Sequence, residues 1–180
     1  MVYEKILNGK TVHLRSVNIE DAEFTLNIRN NPELTIYIPK VSINIEEQCL
    51  WIENQRKKEG DYFFLILDKD KNKLGTISIY NVGDKTAESG RFLSIGNSIQ
   101  NMESLVLTYD FAFFSLNVNI LNFEVYKENK KIVNMWKRLG SQITSEKIVN
   151  GFDSFCFELT KTGYEETFRP KIVDTLNRCI

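Results

Sequence analysis

Residues 88–140 read ESGRFLSIGNSIQNMESLVLTYDFAFFSLNVNILNFEVYKENKKIVNMWKRLG, and this stretch decides the fold. The run Thr86–Ile95 that leads through its start is extended in character. Gly96–Ser104 (GNSIQNMES) then opens a helix, Leu105–Leu116, in which Leu105, Tyr109, Ala112 and Leu116 share one face, with Val106 and Phe113 beside it. That face is core packing. A second extended run, Ile120–Tyr126, follows almost at once, and a short helix, Lys130–Leu139, closes at Gly140. Strand, helix and strand joined by a crossover of this length predict a parallel pair with a right-handed connection. The turn at the carboxyl end of the first strand is then a candidate ligand site, because a helix N-terminus points its free amide hydrogens there. Asn101 is the expected N-cap, which leaves the amides of Met102, Glu103 and Ser104 facing outward, toward a pyrophosphate. An ordinary capped helix without a ligand satisfies the same pattern, and the Glu103 carboxylate suits phosphate only if it is directed away.

Working outward, Thr11–Arg15 alternates as a strand. Asn18 offers an N-cap, with Glu20, Asp21 and Glu23 in the first turn of a helix that stops near Asn30–Pro32. Pro39 marks an irregular stretch, and Asn44 caps a second helix, with Glu47 placed for a capping box and Lys57, Lys58 and Gly60 at the far end. Tyr62–Leu67 and Lys73–Tyr80 form a hairpin through DKDKN. After the central stretch, the Asn150–Gly151 turn joins strands at Ser145–Val149 and Ser154–Thr160, and the chain beyond Gly163 is expected to be helical and frayed. The fold class is α/β (α+β): a mixed sheet, antiparallel in its N-terminal half, with one parallel crossover and flanking helices. No linker or repeat interrupts it, so residues 1–180 are expected to form one domain.

Composition narrows the function classes. A net charge of −1 with both signs interspersed gives no basic field for nucleic acid or an anionic membrane. The longest apolar runs, FAFF and YFFLIL, are far too short to span a bilayer, and MVYEKILNGK lacks a signal peptide's apolar centre. Cys49, Cys156 and Cys179 are odd in number and widely spaced, and His13 is the single histidine. Reduced thiols in a cytoplasmic protein, with no metal site, are therefore expected. His13 is expected on an edge strand facing solvent.

The segment Glu88–Ser141 resembles the GNAT (Gcn5-related) N-acetyltransferases, in which a strand enters a Q/R-x-x-G-x-G/A loop, followed by a crossover helix, a strand ending near Glu-Asn, and a short helix. Glu128-Asn129 and Lys137–Ser141 match the later elements, and Val12–Asn31 is similar to the opening of the branch containing ribosomal-protein N-terminal acetyltransferases. Glu88–Leu93, Glu103–Phe113 and Asn129–Val133 resemble most closely members from surface-polysaccharide and nucleotide-sugar pathways. The loop differs from the usual motif in having no glycine after Gly96, and the position seven beyond Asn129, often a tyrosine that protonates the departing thiolate, is Trp136. Indole N–H is not a usable acid.

The resemblance implies acetyl-CoA as co-substrate, direct attack by a primary amine, no metal, and a splay between the two parallel strands. Backbone groups of Leu93, Ser94 and Ile95 would hold the pantetheine, and the loop residues Gln100, Asn101, Met102, Glu103 and Ser104 the pyrophosphate. Asn129 would meet the pantetheine or thioester end, and Trp136 would wall the channel or simply pack, as Trp51 is expected to do. Glu88 is the candidate general base; an ion pair with Arg91 or a nearby lysine explains it equally. Arg29, Tyr80, Asn81 and Arg91 are candidates for the acceptor side, Arg29 to grip phosphates if the amine is a nucleotide-linked amino sugar. The expected acceptor is an amino sugar or a nucleotide-linked amino sugar; the alternatives are a protein or peptide N-terminal acetyltransferase and a non-catalytic CoA-binding domain, with the chain a monomer or homodimer.

Overall fold

The structure, a computed structural model, describes residues 1–38 and 43–179; the irregular stretch expected at Pro39 lies outside them. Strands β1 (Leu7–Asn8), β2 (Val12–Ser16), β3 (Tyr62–Asp68), β4 (Lys73–Tyr80) and β5 (Thr86–Ser94) form a consecutive antiparallel run. Strand β6 (Ile120–Tyr126) joins β5 in parallel, and β8 (Phe152–Thr160) and β7 (Gln142–Val149) complete one eight-stranded sheet, in the order β1-β2-β3-β4-β5-β6-β8-β7. The helices are α1 (Ala22–Asn30), α2 (Ile45–Lys57), α3 (Ser98–Asp110) and α4 (Lys130–Arg138). This is the expected mixed sheet with its single parallel pair. His13 does not sit on an edge, because the short β1 covers β2: His13 pairs with Asn8 on one side and Leu67 on the other.

Strand β3 shows why helices cover both faces. Its Phe63, Phe64, Leu65 and Ile66 are all buried, a continuous apolar run that a half-exposed strand would not carry. Phe64 and Ile66 join the larger core under α3, with Leu105, Val106, Tyr109, Ala112 and Phe113. Phe63 and Leu65 join a smaller core under α2, with Ile52. Asn44 caps α2 through Glu47 as read. Asn18 precedes a single 3-10 turn, Ile19–Asp21, before α1 begins. The Asp21 carboxylate accepts from the Asn18 amide at 3.0 Å and pairs with Arg15 and Lys73.

The C-terminal segment is packed rather than frayed. A short helix α5 (Lys161–Gly163) passes through a π-helical turn (Tyr164–Phe168) into α6 (Arg169–Cys179). Tyr164, Phe168, Ile172 and Leu176 recur every fourth residue, form one buried stripe and join the larger core. Tyr164 Oη donates to Asp110 Oδ1 at 2.7 Å, and Arg169 forks onto the same carboxylate at 2.8 and 3.1 Å. Those two contacts tie the tail to the end of α3.

Glu103 corrects the reading of the helix start. It lies in the second turn of α3, 5% exposed, and points away from the loop into the β1–β2 turn. Its carboxylate accepts from the amides of Lys10, Thr11 and Val12 and from Thr11 Oγ1, at 2.5 to 3.1 Å. A Cβ on Gly9 would meet the carboxyl carbon at 2.5 Å, so only glycine lets the turn close around it. Burial alone would raise the Glu103 pKa; the four donors outweigh it and hold the carboxyl below its ordinary range.

Because the folded-state pKa is lowered, the stabilisation is complete above the unfolded carboxyl's pKa of about 4.3. It is lost as pH falls through the lowered folded value. Glu103→Gln should cost about 2 kcal/mol in urea unfolding at pH 7, the size of hydrogen bonds to a charged group. The gap from wild type should narrow on acidification through that window. Equal stabilities at pH 7 would refute the tether.

Candidate active site

The site begins where β5 and β6 separate. Their pairing covers Thr86↔Ile120, Ala87↔Leu121 and Glu88↔Asn122 and then stops, although both strands run on, to Ser94 and Tyr126. The cause is visible on the other edge of β5. Ser78 faces Gly90 and Thr76 faces Leu93, so Arg91 and Phe92 both sit opposite Ile77 in a bulge. A bulge bends its strand and increases the local twist, which carries the second half of β5 away from β6.

Arg91 takes a left-handed backbone, φ 52°, which a non-glycine residue adopts only when its surroundings hold it there. Its guanidinium forks onto Asp61 at 2.7 and 3.0 Å. The same group lies 4.5 Å from the Tyr80 ring centroid and 5.3 Å from that of Trp51 on α2. Asp61 is buried, and the Gln55 amide donates to it at 3.1 Å. Burial would push its carboxyl up, but Arg91 prevails and holds it low. An ion pair between Glu88 and Arg91 is therefore excluded: Arg91 belongs to Asp61. Trp51 combines its edge-on contact with Phe63 with this cation contact, and is partly exposed.

Glu88 is free of that pairing and heads a small cleft. Tyr80, Glu88, Asn122, Glu158 and Gln142 lie on one rung across five strands. Asn81 Nδ2 donates to Glu88 Oε1 at 2.9 Å. Burial first, and the neighbouring Glu88 charge second, push the Tyr80 phenol up to about 12, so it stays protonated beside the carboxylate. The cleft, about 310 Å³, is bounded by Tyr80 and Glu88 on one arm, Asn122 and Glu124 on the other, and Lys147 and Cys156 beyond. A Cβ on Gly90 would approach the Tyr80 hydroxyl at 3.0 Å, so the glycine keeps that hydroxyl in place. Thus Tyr80, Asn81 and Glu88 meet at the cleft, while Arg91, committed to Asp61, flanks them through the Tyr80 ring.

The loop before α3 differs from expectation. Asn97, not Asn101, is the N-cap: Asn97 Oδ1 accepts from the Gln100 amide at 3.0 Å, and Gln100 Oε1 accepts from the Asn97 amide at 2.9 Å. Asn101 is one turn inside and donates from Nδ2 to Gly96 O at 3.0 Å. The amides left without an intrahelical partner are those of Ser98 and Ile99. Met102 packs against the core, and Ser104, buried, donates to Gln100 O at 2.8 Å, so with Glu103 these residues are directed into the fold rather than toward a ligand. The signal that favours Asn97 is its own capping box with Gln100.

Leu93 is buried, Ser94 half-buried and Ile95 exposed along the arm of β5. Asn129 caps α4 through a long contact, Oδ1 to the Ile132 amide at 3.4 Å, and among the described residues its side-chain NH₂ has no partner. Trp136 is 6% exposed and packs on Phe123, Tyr109 and Phe168. It packs as a core residue.

Arg29 stands apart from the Glu88 cluster, at the end of α1. Its Nη1 is buried and has no hydrogen-bond partner among the described residues. Burial lowers its pKa, with the Tyr126 phenol at the end of β6 acting the other way. Tyr126, Asp61, Asn122, Glu124 and Lys147 are site residues the sequence did not point to. Each is distant in the chain from the residue it faces and carries no local motif.

A family model described as an acetyltransferase (GNAT) domain matches residues 11–142. The chain is 23% identical over 134 residues to acetyltransferase PseH of Campylobacter jejuni, a match spanning 72% of this chain and 82% of that protein. The solved structure of apo FdhC, described as a nucleotide-linked sugar GNAT, superposes with a TM-score of 0.82 at 28% identity, over 98% of both chains. Spermidine N-acetyltransferase of Vibrio cholerae, in complex with CoA and spermine, has the same fold at a TM-score of 0.76 and 19% identity, over 88% of this chain and 100% of that one.

The bulge rests on a buried charge pair, and removing one partner of such a pair strands the other. Asp61→Asn should lower stability by about 2 kcal/mol, below the range for a fully buried pair because Arg91 keeps some contact with water. Asp153→Asn, at the exposed start of β8, should be nearly neutral. Thermal unfolding of both variants beside wild type checks this, and equal losses would remove the pair from its role.

Proposed function

The chain belongs to the GNAT acetyltransferase family, and on that premise we propose that it acetylates the primary amine of a nucleotide-linked amino sugar, using acetyl-CoA. The observation that carries the reading is the parting of β5 and β6 beyond Glu88↔Asn122. Strand edges that separate leave backbone donors and acceptors without a sheet partner, and a pantetheine chain with its two amides is suited to pair with them. Leu93 and Ser94 run along the parted half of β5, and Ile95, whose amide donates to Leu74 O at 2.8 Å, follows just beyond it. The amides of Ser98 and Ile99, at the positive end of α3, suit a pyrophosphate, with Gln100 and Asn101 shaping the loop behind them. The unpartnered NH₂ of Asn129 is available to a pantetheine carbonyl.

Bound acetyl-CoA supplies an acetyl group activated as a thioester. The chain's own residues must seat the amine, take its proton and hold the charge that moves to the carbonyl oxygen. Glu88 is the proposed base: it lies in the cleft at the point of parting, oriented by Asn81, with the protonated Tyr80 beside it. Backbone N–H groups of β5 are the proposed oxyanion donors. On the acceptor side, Arg29 offers a buried Nη1 that lacks an anionic partner among the described residues. A guanidinium so placed is satisfied by a phosphate, and a nucleotide-linked sugar brings two. The full-length likeness to FdhC supports the same acceptor class.

Calorimetry with acetyl-CoA, followed by thiol release across an amine panel, tests the reading. Nucleotide-linked amino sugars should turn over faster than free hexosamines, polyamines or peptides. Binding of acetyl-CoA without thiol release from any amine would reduce the chain to a CoA-binding domain, and no binding would overturn the reading altogether.

Two variants sharpen it. Glu88→Gln should lower kcat roughly 100-fold, the usual scale for a positioned base, while leaving acetyl-CoA affinity unchanged. Arg29→Met should raise KM for nucleotide-linked acceptors by about 10-fold or more, the scale of a lost charge-assisted contact, with little change in kcat or in KM for free amino sugars. An equal effect on both acceptor types would remove Arg29 from phosphate recognition.

A further inference from the structure

Ser89 and Phe123 are the next residues on β5 and β6 after the last paired rung, Glu88↔Asn122. Strand alternation puts them on the face opposite Glu88, the face covered by α3. They therefore flank the vertex of the parting strands from behind. Phe123 is covered by Trp136 at 4.5 Å between ring centroids, and Trp136 stacks in turn on Tyr109 at 6.1 Å and Phe168 at 5.7 Å. This lining is apolar except for one contact. Ser89 Oγ and Tyr109 Oη are 3.1 Å apart, with the two residues 7% and 1% exposed.

Either hydroxyl can be the donor in this contact. Among the described residues, neither Tyr109 Oη nor Ser89 Oγ has another hydrogen-bond partner. A buried O–H without an acceptor is costly, so an acceptor brought to the vertex favours the arrangement in which Tyr109 donates to Ser89 Oγ and the serine donates onward. Burial raises the phenol's pKa, against a smaller opposing effect of the serine contact, and keeps the donor protonated.

We propose that Ser89 donates a hydrogen bond to the leaving sulfur and that Tyr109 is the positioning residue that fixes the direction of that donation. The proposal rests on the acetyl-CoA reading above. When the amine nitrogen bonds to the acetyl carbon, the C–S bond breaks and its electron pair departs on sulfur. The amine proton passes to Glu88 and then to water, and the sulfur takes a proton from water on release. Between those events the sulfur carries negative charge beside an apolar wall, and the Ser89 hydroxyl is the polar side chain at that wall. Tyr109 is not itself the proton source, because giving up its proton would leave a buried phenolate with no cation beside it. Trp136, packed among aromatic rings, supplies neither charge nor acid.

The test uses CoA itself, so it does not depend on knowing the acceptor. The ultraviolet absorbance of the thiolate, followed against pH, gives the acidity of CoA's thiol when bound to the full-length protein. Ser89→Ala should make the bound thiol about tenfold less acidic and leave CoA affinity near wild type, with Tm lowered by a few degrees because the Tyr109 hydroxyl loses its partner. Tyr109→Phe should move it in the same direction by less. With an active acceptor, Ser89→Ala should lower kcat roughly 10- to 100-fold, the scale of a hydrogen bond to a charged group. It should also steepen the dependence of rate on the leaving thiol's acidity across acetyl thioesters, with KM for acetyl-CoA unchanged. An unchanged bound-thiol acidity in Ser89→Ala overturns the proposal, as does a fall in kcat that is independent of the leaving thiol. If CoA binds and its thiol responds while no amine is acetylated, the transferase reading fails and this one stands.

Discussion

The Arg91–Asp61 pair is the constraint on which the rest of the site depends. Arg91 occupies a left-handed backbone position in the middle of a strand, a conformation that costs about 1 kcal/mol or more for a residue with a side chain. A bidentate bond to a buried carboxylate and two aromatic rings around the guanidinium hold it there. Without the bulge, β5 would run alongside β6 to their ends, and the sheet would close over the space between them. The geometry of the cleft is thus stored in a contact outside the cleft itself. Asp61 belongs to the segment between α2 and β3, so the packing of α2 and the opening of the strands are linked through one charge pair. This linkage explains why a buried pair is used where an apolar contact would be cheaper: only a directional, forked partner holds both the guanidinium and the twist of the strand that carries it.

A second tether works on the other face. Glu103 reaches from α3 into the turn before β2 and gathers the amides there. Helix α3 starts at the mouth of the cleft, so the direction of its first turn decides where the free amides of Ser98 and Ile99 point. Holding the second turn to the opposite end of the sheet fixes that direction. The carboxylate that looked unfavourable for a phosphate-binding turn is removed from the turn by this task, and its charge is neutralised by donors of the protein's own.

The sheet, its crossover and most strand limits were legible in the sequence because they rest on local regularities: alternation in β4 and β6, an apolar stripe in α3, turn residues at Asn150–Gly151. Glu88, Tyr80, Asn81 and Arg91 were legible as a group because they are close in sequence on two neighbouring strands. What escaped was set by distance in the chain. Asp61 is far in sequence from Arg91 and Glu103 from Thr11, and no periodicity announces such a partnership. The N-cap was misplaced for a different reason. Both Asn97 and Asn101 satisfy the composition rule for a cap, and the choice falls to Asn97 because Gln100 can reach back to it, whereas position 104, three residues beyond Asn101, is a serine too short to do so. The tail reads as frayed because chain ends usually lack partners, and the group that holds it, the Asp110 carboxylate bonded by Tyr164 and Arg169, lies far back in the chain.

Strand alternation itself organises the proposed chemistry. Glu88 and Ser89 are adjacent in sequence, so their side chains leave opposite faces of β5 at the point where β6 departs. The carboxylate faces the acceptor side, with Asn81 and Tyr80 about it; the hydroxyl faces the cofactor side, with Tyr109 behind it. An amine attacking a thioester loses its proton on one side of the carbonyl carbon and expels sulfur on the other. A base and a sulfur-binding donor are therefore needed on opposed sides of one short segment, and two consecutive strand residues meet that need without any loop rearrangement. The opening of the sheet at this rung makes the two faces meet at a common space, which an intact parallel pair would keep apart.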